Sequence, residues 1–270
     1  MSSHNQAQMD LLLQMARLAI SGQTVLIALA SVFRQSGCNL VLLRSNADKL
    51  KQAVEQLLSG ESKVFSYVCD FRKRSEIEET IFENRRGAGY ALGATTPSWD
   101  QDLDNVDSVL DVNVNGLMTI THLVLKHHMM KRSPQPCGTI LNVSSITGHQ
   151  APLKEGFETS YHTSKAAVEG FSNVLRNETI GTNIRVLVHR PGTTHTEFHS
   201  WRLEYDEKST ADNFAGMLAT LAEDMAVGML WQCIQPERVS IVMMETLPTS
   251  QRSNYAIDKE WEKRNGTEYK

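Results

Sequence analysis

The stretch Thr139-Ile-Leu-Asn-Val-Ser-Ser-Ile-Thr-Gly148 joins a short apolar run to a polar turn, and this pattern recurs along the chain. Continuous runs rich in Val, Ile and Leu indicate strands that are buried on both faces. Further predicted strands lie at 24–27, 39–43, 64–69, 184–189 and 239–243. Apolar residues at helical spacing fill most of the intervals, over 28–35, 48–58, 75–82, 106–130, 160–179 and 220–234. The alternation predicts an α/β protein with a doubly wound parallel sheet in three α/β/α layers.

The length of the chain suits one such domain. Its 270 residues are predicted to form an N-terminal extension (1–20), a single Rossmann-like domain (21–252) and a polar C-terminal tail (253–270). We expect the first and fourth strand regions of the sheet to be disrupted. The first predicted strand (24–27) runs directly into a predicted helix, and residues 83–93 lack the apolar run that a buried fourth strand needs.

Composition argues against several classes of protein. The net charge of −4 offers no basic surface for nucleic acid, the apolar runs are too short for a membrane span, and the N-terminus lacks a signal-peptide pattern. We therefore expect a cytoplasmic protein with neither nucleic-acid nor membrane partners. The four cysteines form no C-x-x-C pair and the histidines no H-E-x-x-H motif, so no metal is expected.

Residues that directly follow predicted strands mark the ligand groove. In a doubly wound sheet this groove lies at the carboxyl ends of the strands. Asp70, Ser145 and Pro191-Gly192 each follow a predicted strand, so they are expected to share it.

The pair Tyr161 and Lys165 is the strongest chemical signal in the sequence. Residues four apart lie on one face of a helix, and an ammonium beside a phenol favours the phenolate and lowers its pKa. The alternative is an exposed pair on a helix face. Ser145 is placed to hydrogen-bond a substrate carbonyl, with a loop or helix cap as its alternative. Asn113, inside a helical stretch, is either the holder of a relay water or the site of a kink.

The order Asn113, Ser145, Tyr161, Lys165 and Pro191-Gly192 resembles the short-chain dehydrogenase/reductase family. The resemblance implies a catalytic tetrad: Tyr161 as general acid/base, Lys165 to lower its pKa and bind the nicotinamide ribose, Ser145 to orient the carbonyl, and Asn113 to hold a relay water.

The same resemblance implies a nicotinamide-contacting loop after the predicted strand at 184–189. It begins at Pro191-Gly192, and Thr194 and Thr196 are expected nearest the cofactor. The segment Gln235–Gln251 resembles the branch of NADP-dependent 3-hydroxy acid (serine-type) dehydrogenases. The family also implies a homodimer or homotetramer and a small alcohol or carbonyl substrate.

The end of the second predicted strand bears on cofactor choice. An acidic residue there binds the ribose 2′-OH of NAD, whereas this chain has Arg44, which suits the 2′-phosphate of NADP. The alternative is a surface arginine. Asp70 matches the adenine-contacting aspartate of the family, with a helix N-cap as its alternative.

Two family motifs are missing or incomplete. The glycine-rich T-G-x-x-x-G-x-G, whose amides cradle the pyrophosphate, does not follow Ile27. The strand ending in N-N-A-G is reduced to Ala88-Gly89.

Three hypotheses therefore remain open: an NADP(H)-dependent oxidoreductase, a catalytically inactive binding protein with the same fold, and a truncated gene product that has lost dinucleotide binding. A serine hydrolase is disfavoured because no G-x-S-x-G elbow is present. Arg202, in the expected substrate lid, is a candidate for a substrate carboxylate or a solvated arginine.

Overall fold

A computed structural model describes residues 24–26, 30–36, 38–57, 63–77, 97–151, 158–196, 198–199 and 207–266. The predicted Gly-rich-loop position (27–29), the region of the fourth predicted strand (83–93) and Arg202 lie outside these residues, as do Ala88 and Gly89.

The N-terminal half of the sheet has three parallel strands in the order β1-β2-β3. The register sets Leu26 opposite Val41, and Arg44 opposite Val68. The elements of this half are β1 (Thr24–Leu26), α1 (Ala30–Gln35), β2 (Asn39–Arg44), α2 (Ala47–Leu57) and β3 (Val64–Val68), followed by a helical turn over 74–77.

The C-terminal half has three parallel strands in the order β4-β5-β8. It begins with α3 (Leu103–Leu110), a π-helical turn (Asp111–Gly116) and α4 (Leu117–His127). It continues with β4 (Cys137–Val143), α5 (Thr159–Glu178), β5 (Asn183–Pro191) and β6 (Thr194–His195). It ends with α6 (Glu207–Phe214), β7 (Thr220–Leu221), α7 (Ala222–Cys233), β8 (Met243–Thr246) and α8 (Trp261–Asn265).

One hydrophobic cluster joins the two halves. It combines Val32 and Phe33 of α1 with Leu40 of β2 and with Met229 and Leu230 of α7, and all five are buried. Leu141 and Val143 of β4 pack against the same cluster. On the opposite face, a residue of β2 packs with residues of the loop after β3 and of α4, namely Val41, Cys69, Phe71, Ile120 and Leu123. Helices thus cover both faces of parallel strands, and the predicted three-layer architecture is confirmed.

Several element bounds differ from prediction. Thr220 and Leu221 form a short strand beside β6, so α7 begins only at Ala222. The last strand lies at Met243–Thr246 instead of 239–243. The segment after Pro248, predicted to be extended, turns through an antiparallel bridge between Gln251 and Ile257 and ends in α8.

The helical run Leu103–Lys131 is long and apolar enough to cross a membrane by length and composition alone. It nevertheless buries Ile120 and Leu123 in the core, and Asn113 is 4% exposed beneath α5. These contacts are those of a core helix in a globular domain.

A histidine in the core makes stability depend on pH. His189 is fully buried, and its Nδ1 lies 2.8 Å from the Gln232 side-chain oxygen. Burial lowers the pKa of His189 below its ordinary 6.5. The unfolded chain therefore takes up this proton before the folded chain does, and stability present above about pH 6.5 is lost as the pH falls toward the folded-state pKa, at about 1.4 kcal/mol per pH unit.

Urea unfolding between about pH 8 and about pH 5 measures this loss. A His189→Met variant is expected to lose less stability over the same interval. Identical pH slopes for the two proteins would contradict the assignment.

Candidate active site

The polar turn after β4 presents the two serines at the carboxyl edge of the sheet. Ser145, 8% exposed, caps a 3₁₀ turn (Ile146–Gly148), and its hydroxyl accepts a hydrogen bond from the Thr147 amide at 3.2 Å. The predicted alternative of a cap is thus present, and it leaves the hydroxyl hydrogen free of that bond. Ser144 instead donates its hydroxyl to Glu169 at 2.8 Å. The two adjacent serines therefore make different contacts, and only Ser145 interacts with the Tyr161 side chain.

Helix α5 carries Tyr161 and Lys165 on one face, as their spacing predicts. Tyr161 is 8% exposed. The Lys165 Nζ lies 5.6 Å from the centroid of its ring and donates to the Val143 carbonyl at 3.0 Å. Because Val143 ends β4 two residues before Ser145, the structure brings the three predicted residues together.

Burial dominates the electrostatics of this pair. It raises the pKa of Tyr161 to about 12, while a hydrogen bond with Ser145 acts in the opposite direction. Burial also lowers the pKa of Lys165 to about 8. The lysine was expected to lower the tyrosine pKa, whereas in the protein alone the pKa is raised, with burial as the largest cause. Tyr161 is therefore a neutral phenol at neutral pH, in the state of a proton donor.

Asn113 is tied to α5 through a short chain of hydrogen bonds. It lies in the π-helical turn, and its side-chain nitrogen donates to the Ser164 hydroxyl at 3.1 Å. Ser164 in turn donates to the Tyr161 carbonyl at 2.7 Å. The helix irregularity predicted as an alternative is present, and it places a buried amide against the helix that carries Tyr161. Single π turns of this kind occur frequently at functional sites.

The loop after β5 is packed too tightly for any residue but glycine at Gly192. Its amide donates to Thr246 O at 2.8 Å, and a Cβ there would lie 2.6 Å from the Gln251 Oε1 and 2.6 Å from the Leu247 Cδ2. Thr194 donates its hydroxyl to the Gly192 carbonyl at 3.1 Å. The Thr196 hydroxyl, on an exposed residue, accepts from the Phe198 amide at 3.4 Å. The loop from Pro191 thus begins at the same sheet edge as Ser145.

Asp70 is already engaged in a local ion pair. Its carboxylate accepts from the Arg72 amide at 3.1 Å and from the guanidinium at 2.9 and 2.7 Å. The hydrogen bonds with Arg72 hold the pKa of Asp70 below its usual range. An adenine contact would have to share this carboxylate with Arg72. Arg44 ends β2 at the same edge, but its side chain lies outside the described part of the chain.

Lys165 keeps hydrogen-bond donors for a ligand at this edge of the sheet. A lysine ammonium has three N–H donors, and the bond to Val143 uses one of them. The remaining donors, beside the Tyr161 hydroxyl, suit the two hydroxyls of a ribose. The residues expected to contact the pyrophosphate lie outside the described residues.

A buried ion-pair network beneath the site was not foreseen from the sequence. Glu169 accepts from Ser144, and it also receives a bidentate pair from Arg190 at 2.7 and 2.6 Å. Arg190 lies 3.9 Å from Glu245, which lies 3.5 Å from His149. One carboxylate therefore joins the serine turn, the tyrosine helix and the residue that precedes Pro191. The spacing of Tyr161, Lys165 and Glu169 places Glu169 on the same helix face, but it does not indicate that Arg190 is its partner.

Aromatic rings cover the tyrosine on the side of the expected lid. The Phe198 ring lies 5.3 Å from that of Tyr161, and it also contacts His199. His199 and His195 both pack on Phe214 of α6. Tilted aromatic pairs at this separation are favourable, so Phe198 forms an apolar wall beside the phenol.

Gly148 sets how closely the serine turn approaches α5. A Cβ there would lie 2.7 Å from the Ser144 hydroxyl, 2.9 Å from Glu169 and 3.3 Å from the Lys165 backbone. Gly148→Ala is expected to cost about 1–3 kcal/mol and to lower the melting temperature by roughly 2–12 °C. Calorimetry measures the shift.

Gly170 on the same helix provides the matched control. A Cβ there meets nothing within 4 Å, and Gly→Ala inside a helix stabilises by about 0.5–1 kcal/mol. Equal melting temperatures for Gly148→Ala and Gly170→Ala would contradict the packing assigned to the turn.

Fold and site together define a doubly wound α/β protein with a tyrosine, a lysine and a serine grouped at the ligand edge. A family model described as short chain dehydrogenase matches residues 22–205. This match and the relatives below place the chain in the short-chain dehydrogenase family.

Relatives and solved structures agree with this assignment. The chain is 30% identical to sulfoacetaldehyde reductase 2 of Chromohalobacter salexigens over 86% of this chain and 94% of that protein. It is 30% identical to serine 3-dehydrogenase of Agrobacterium fabrum over 61% of this chain and 62% of that protein. A serine dehydrogenase structure complexed with NADP+ superposes with a TM-score of 0.74 at 26% identity, covering 84% and 95% of the two chains. Family and relatives support an oxidoreductase of the alcohol/carbonyl type that uses a nicotinamide cofactor.

Proposed function

We propose that the chain is an NADP(H)-dependent oxidoreductase that reduces a small carbonyl compound to an alcohol, with Tyr161 as the proton donor. The observation that carries the proposal is the grouping of Tyr161, Lys165 and Ser145 at the end of β4.

The protonation state of Tyr161 suits a proton donor in carbonyl reduction. With a pKa raised to about 12, the phenol holds its proton at neutral pH and delivers it to the oxygen of a polarised carbonyl. Ser145 contacts the same hydroxyl, so its side chain is placed to hold that oxygen. A bound NADPH supplies the hydride to the carbonyl carbon.

Lys165 is proposed to act when Tyr161 is deprotonated. This occurs when Tyr161 regains a proton after carbonyl reduction, or when it acts as a base in alcohol oxidation. Its ammonium sits over the ring, and its partial burial strengthens its electrostatic effect on a developing phenolate. Asn113 fixes the helix through Ser164, and we infer that it also holds a relay water. Phe198 excludes bulk water from the phenol.

NADP is preferred to NAD as the cofactor because Arg44, rather than an acidic residue, ends β2. Lys165, Tyr161 and the loop with Pro191, Gly192, Thr194 and Thr196 are proposed to hold the nicotinamide end. Asp70, Ala88 and Gly89 are proposed to lie toward the adenosine end.

A short substrate with an acidic group is the proposed class. The matched relatives are named for sulfoacetaldehyde and for serine, which carry a sulfonate and a carboxylate, respectively, one carbon away from the reacting carbon. The remaining proposals are a cytoplasmic location and a homodimer or homotetramer.

The test is NADPH consumption with a panel of short aldehydes and ketones that carry a carboxylate or sulfonate. We expect the alcohol to form in step with NADPH oxidation, and NADH to serve less well. A folded sample that turns over none of the panel, under conditions in which NADPH binds, would favour the inactive binding protein.

A further inference from the structure

The segment from Leu247 to Asn265, here called the C-terminal strap, contacts three parts of the molecule that border the active site. It touches the loop after β5, the serine turn after β4, and the end of α6 that packs on the lid residues. The strap spans the end of the predicted domain (21–252) and most of the predicted polar tail (253–270), and these contacts give it a role that its composition does not suggest.

Gln251 makes the contact with the nicotinamide loop. It is 4% exposed, and its side-chain oxygen accepts a hydrogen bond from the Thr193 amide at 2.9 Å. The Thr193 carbonyl accepts from the amide and hydroxyl of Thr220 at 3.2 and 3.0 Å. The peptide groups around Thr193 are therefore held from both sides, by the strap and by β7.

The same oxygen explains the tight packing at Gly192. The glycine backbone approaches Gln251 and Leu247 so closely that only a hydrogen fits in place of a side chain. The Gly192 amide also donates a hydrogen bond to the carbonyl of Thr246, the residue directly before the strap. Loop and strap thus form one interlocked unit beside the predicted nicotinamide position.

Two further contacts anchor the strap. Asn254 donates its amide to the Gln150 side chain at 2.9 Å and its side chain to the Gln150 carbonyl at 3.0 Å. Lys259 donates to the Asn213 carbonyl at 3.1 Å, and Glu262 accepts from the Gly216 amide at 3.2 Å. Both anchors hold the strap against the domain, so Gln251 has a fixed position from which to act.

We propose that Gln251 is a positioning residue for the nicotinamide end of the site, which it serves by fixing the backbone of Gly192 and Thr193. This inference rests on the proposed function. A side chain that arrives from 58 residues along the chain thus helps to fix the backbone of this loop. A preordered loop binds its ligand more tightly because less ordering remains to be done on binding.

The experiment compares Gln251→Ala with the unaltered chain in two measurements. In the cofactor-free protein, amide hydrogen exchange at Thr193 is expected to accelerate. The Kd of NADPH, from fluorescence titration, is expected to rise about tenfold, the effect of losing one buried hydrogen bond. Gln251→Glu keeps the acceptor oxygen and is expected to restore protection of Thr193. Gln251→Asn, which withdraws the amide by one methylene, is expected to behave like Gln251→Ala and guards against a folding defect.

Asn265→Ala is the matched control, because Asn265 contacts only the Trp261 carbonyl among the hydrogen bonds of the described residues. It is expected to leave both measurements unchanged. NADPH affinity that is unchanged in Gln251→Ala and Gln251→Asn, or equally reduced in Asn265→Ala, would overturn the inference alone. Absence of NADPH binding by the unaltered chain would overturn the proposed function together with it.

Discussion

Tyr161→Phe is expected to lower kcat for carbonyl reduction by about 100- to 10,000-fold, the usual contribution of a positioned general acid. The variant removes one hydroxyl and leaves the ring, so the contact with Phe198 at 5.3 Å is kept. Because the native phenol carries its proton at neutral pH, the loss is one of proton donation rather than of binding. Steady-state turnover at saturating NADPH measures it.

Two controls separate chemistry from structure in this experiment. The melting temperature is expected to stay close to that of the unaltered chain, and NADPH is kept saturating because Tyr161 is also proposed to hold the nicotinamide end. Turnover by Tyr161→Phe within a few-fold of the unaltered chain would show that another group delivers the proton.

Glu169→Ala is expected to cause the largest loss of stability. Glu169 accepts a bidentate pair from Arg190, and their side chains are only 11% and 16% exposed. Removing one partner of a buried pair leaves the other charge without compensation and costs about 3–5 kcal/mol. In a domain of this size that lowers the melting temperature by roughly 6–20 °C. Activity is expected to fall as well, because the same carboxylate holds Ser144 beside Ser145.

The double variant Glu169→Ala with Arg190→Met tests the mechanism of that loss. It removes both charges together, so it is expected to be more stable than the sum of the two single losses predicts. Strict additivity of the single variants would mean that the pair does not act as a unit. A Glu169→Ala variant that melts with the unaltered chain would contradict the network altogether.

The strands of this fold were predictable because strands that are buried on both faces consist mostly of apolar residues. Runs such as Leu40–Leu43 are apolar throughout, since parallel strands are covered on both faces, and β2 occupies Asn39–Arg44. The start of the last strand was placed four residues too early because the largely apolar stretch from Val239 to Met244 does not show which of its residues pair. Its pairing is set by β5, where Val188 lies opposite Met243, and such a register is a tertiary property.

The candidate site divides in the same way. Tyr161 and Lys165 were found because one helix turn relates them, and Ser145 because a strand ends just before it. Their contact in space follows from the parallel arrangement of β4 and β5, which the alternation of strands and helices already implies. The raised pKa of Tyr161 was not foreseen, because desolvation depends on how residues such as Phe198 pack over the ring.

Contacts between distant segments left no local signal. Gln251 and Thr193 are 58 residues apart, and neither belongs to a spacing pattern. Arg190 lies between a buried strand and Pro191, where its charge gave no hint that it pairs with Glu169 on α5. Residues of this kind emerge only once the strands have placed their ends together.

Titration of the full chain with NADPH tests the central claim most directly, because nicotinamide-dependent chemistry at Tyr161 requires the dinucleotide to bind. The account predicts saturable binding that is weakened by Lys165→Met, which removes the donors facing the ribose, and unaffected by Asn265→Ala. A folded sample that shows no saturable binding of either NADPH or NADH would contradict it.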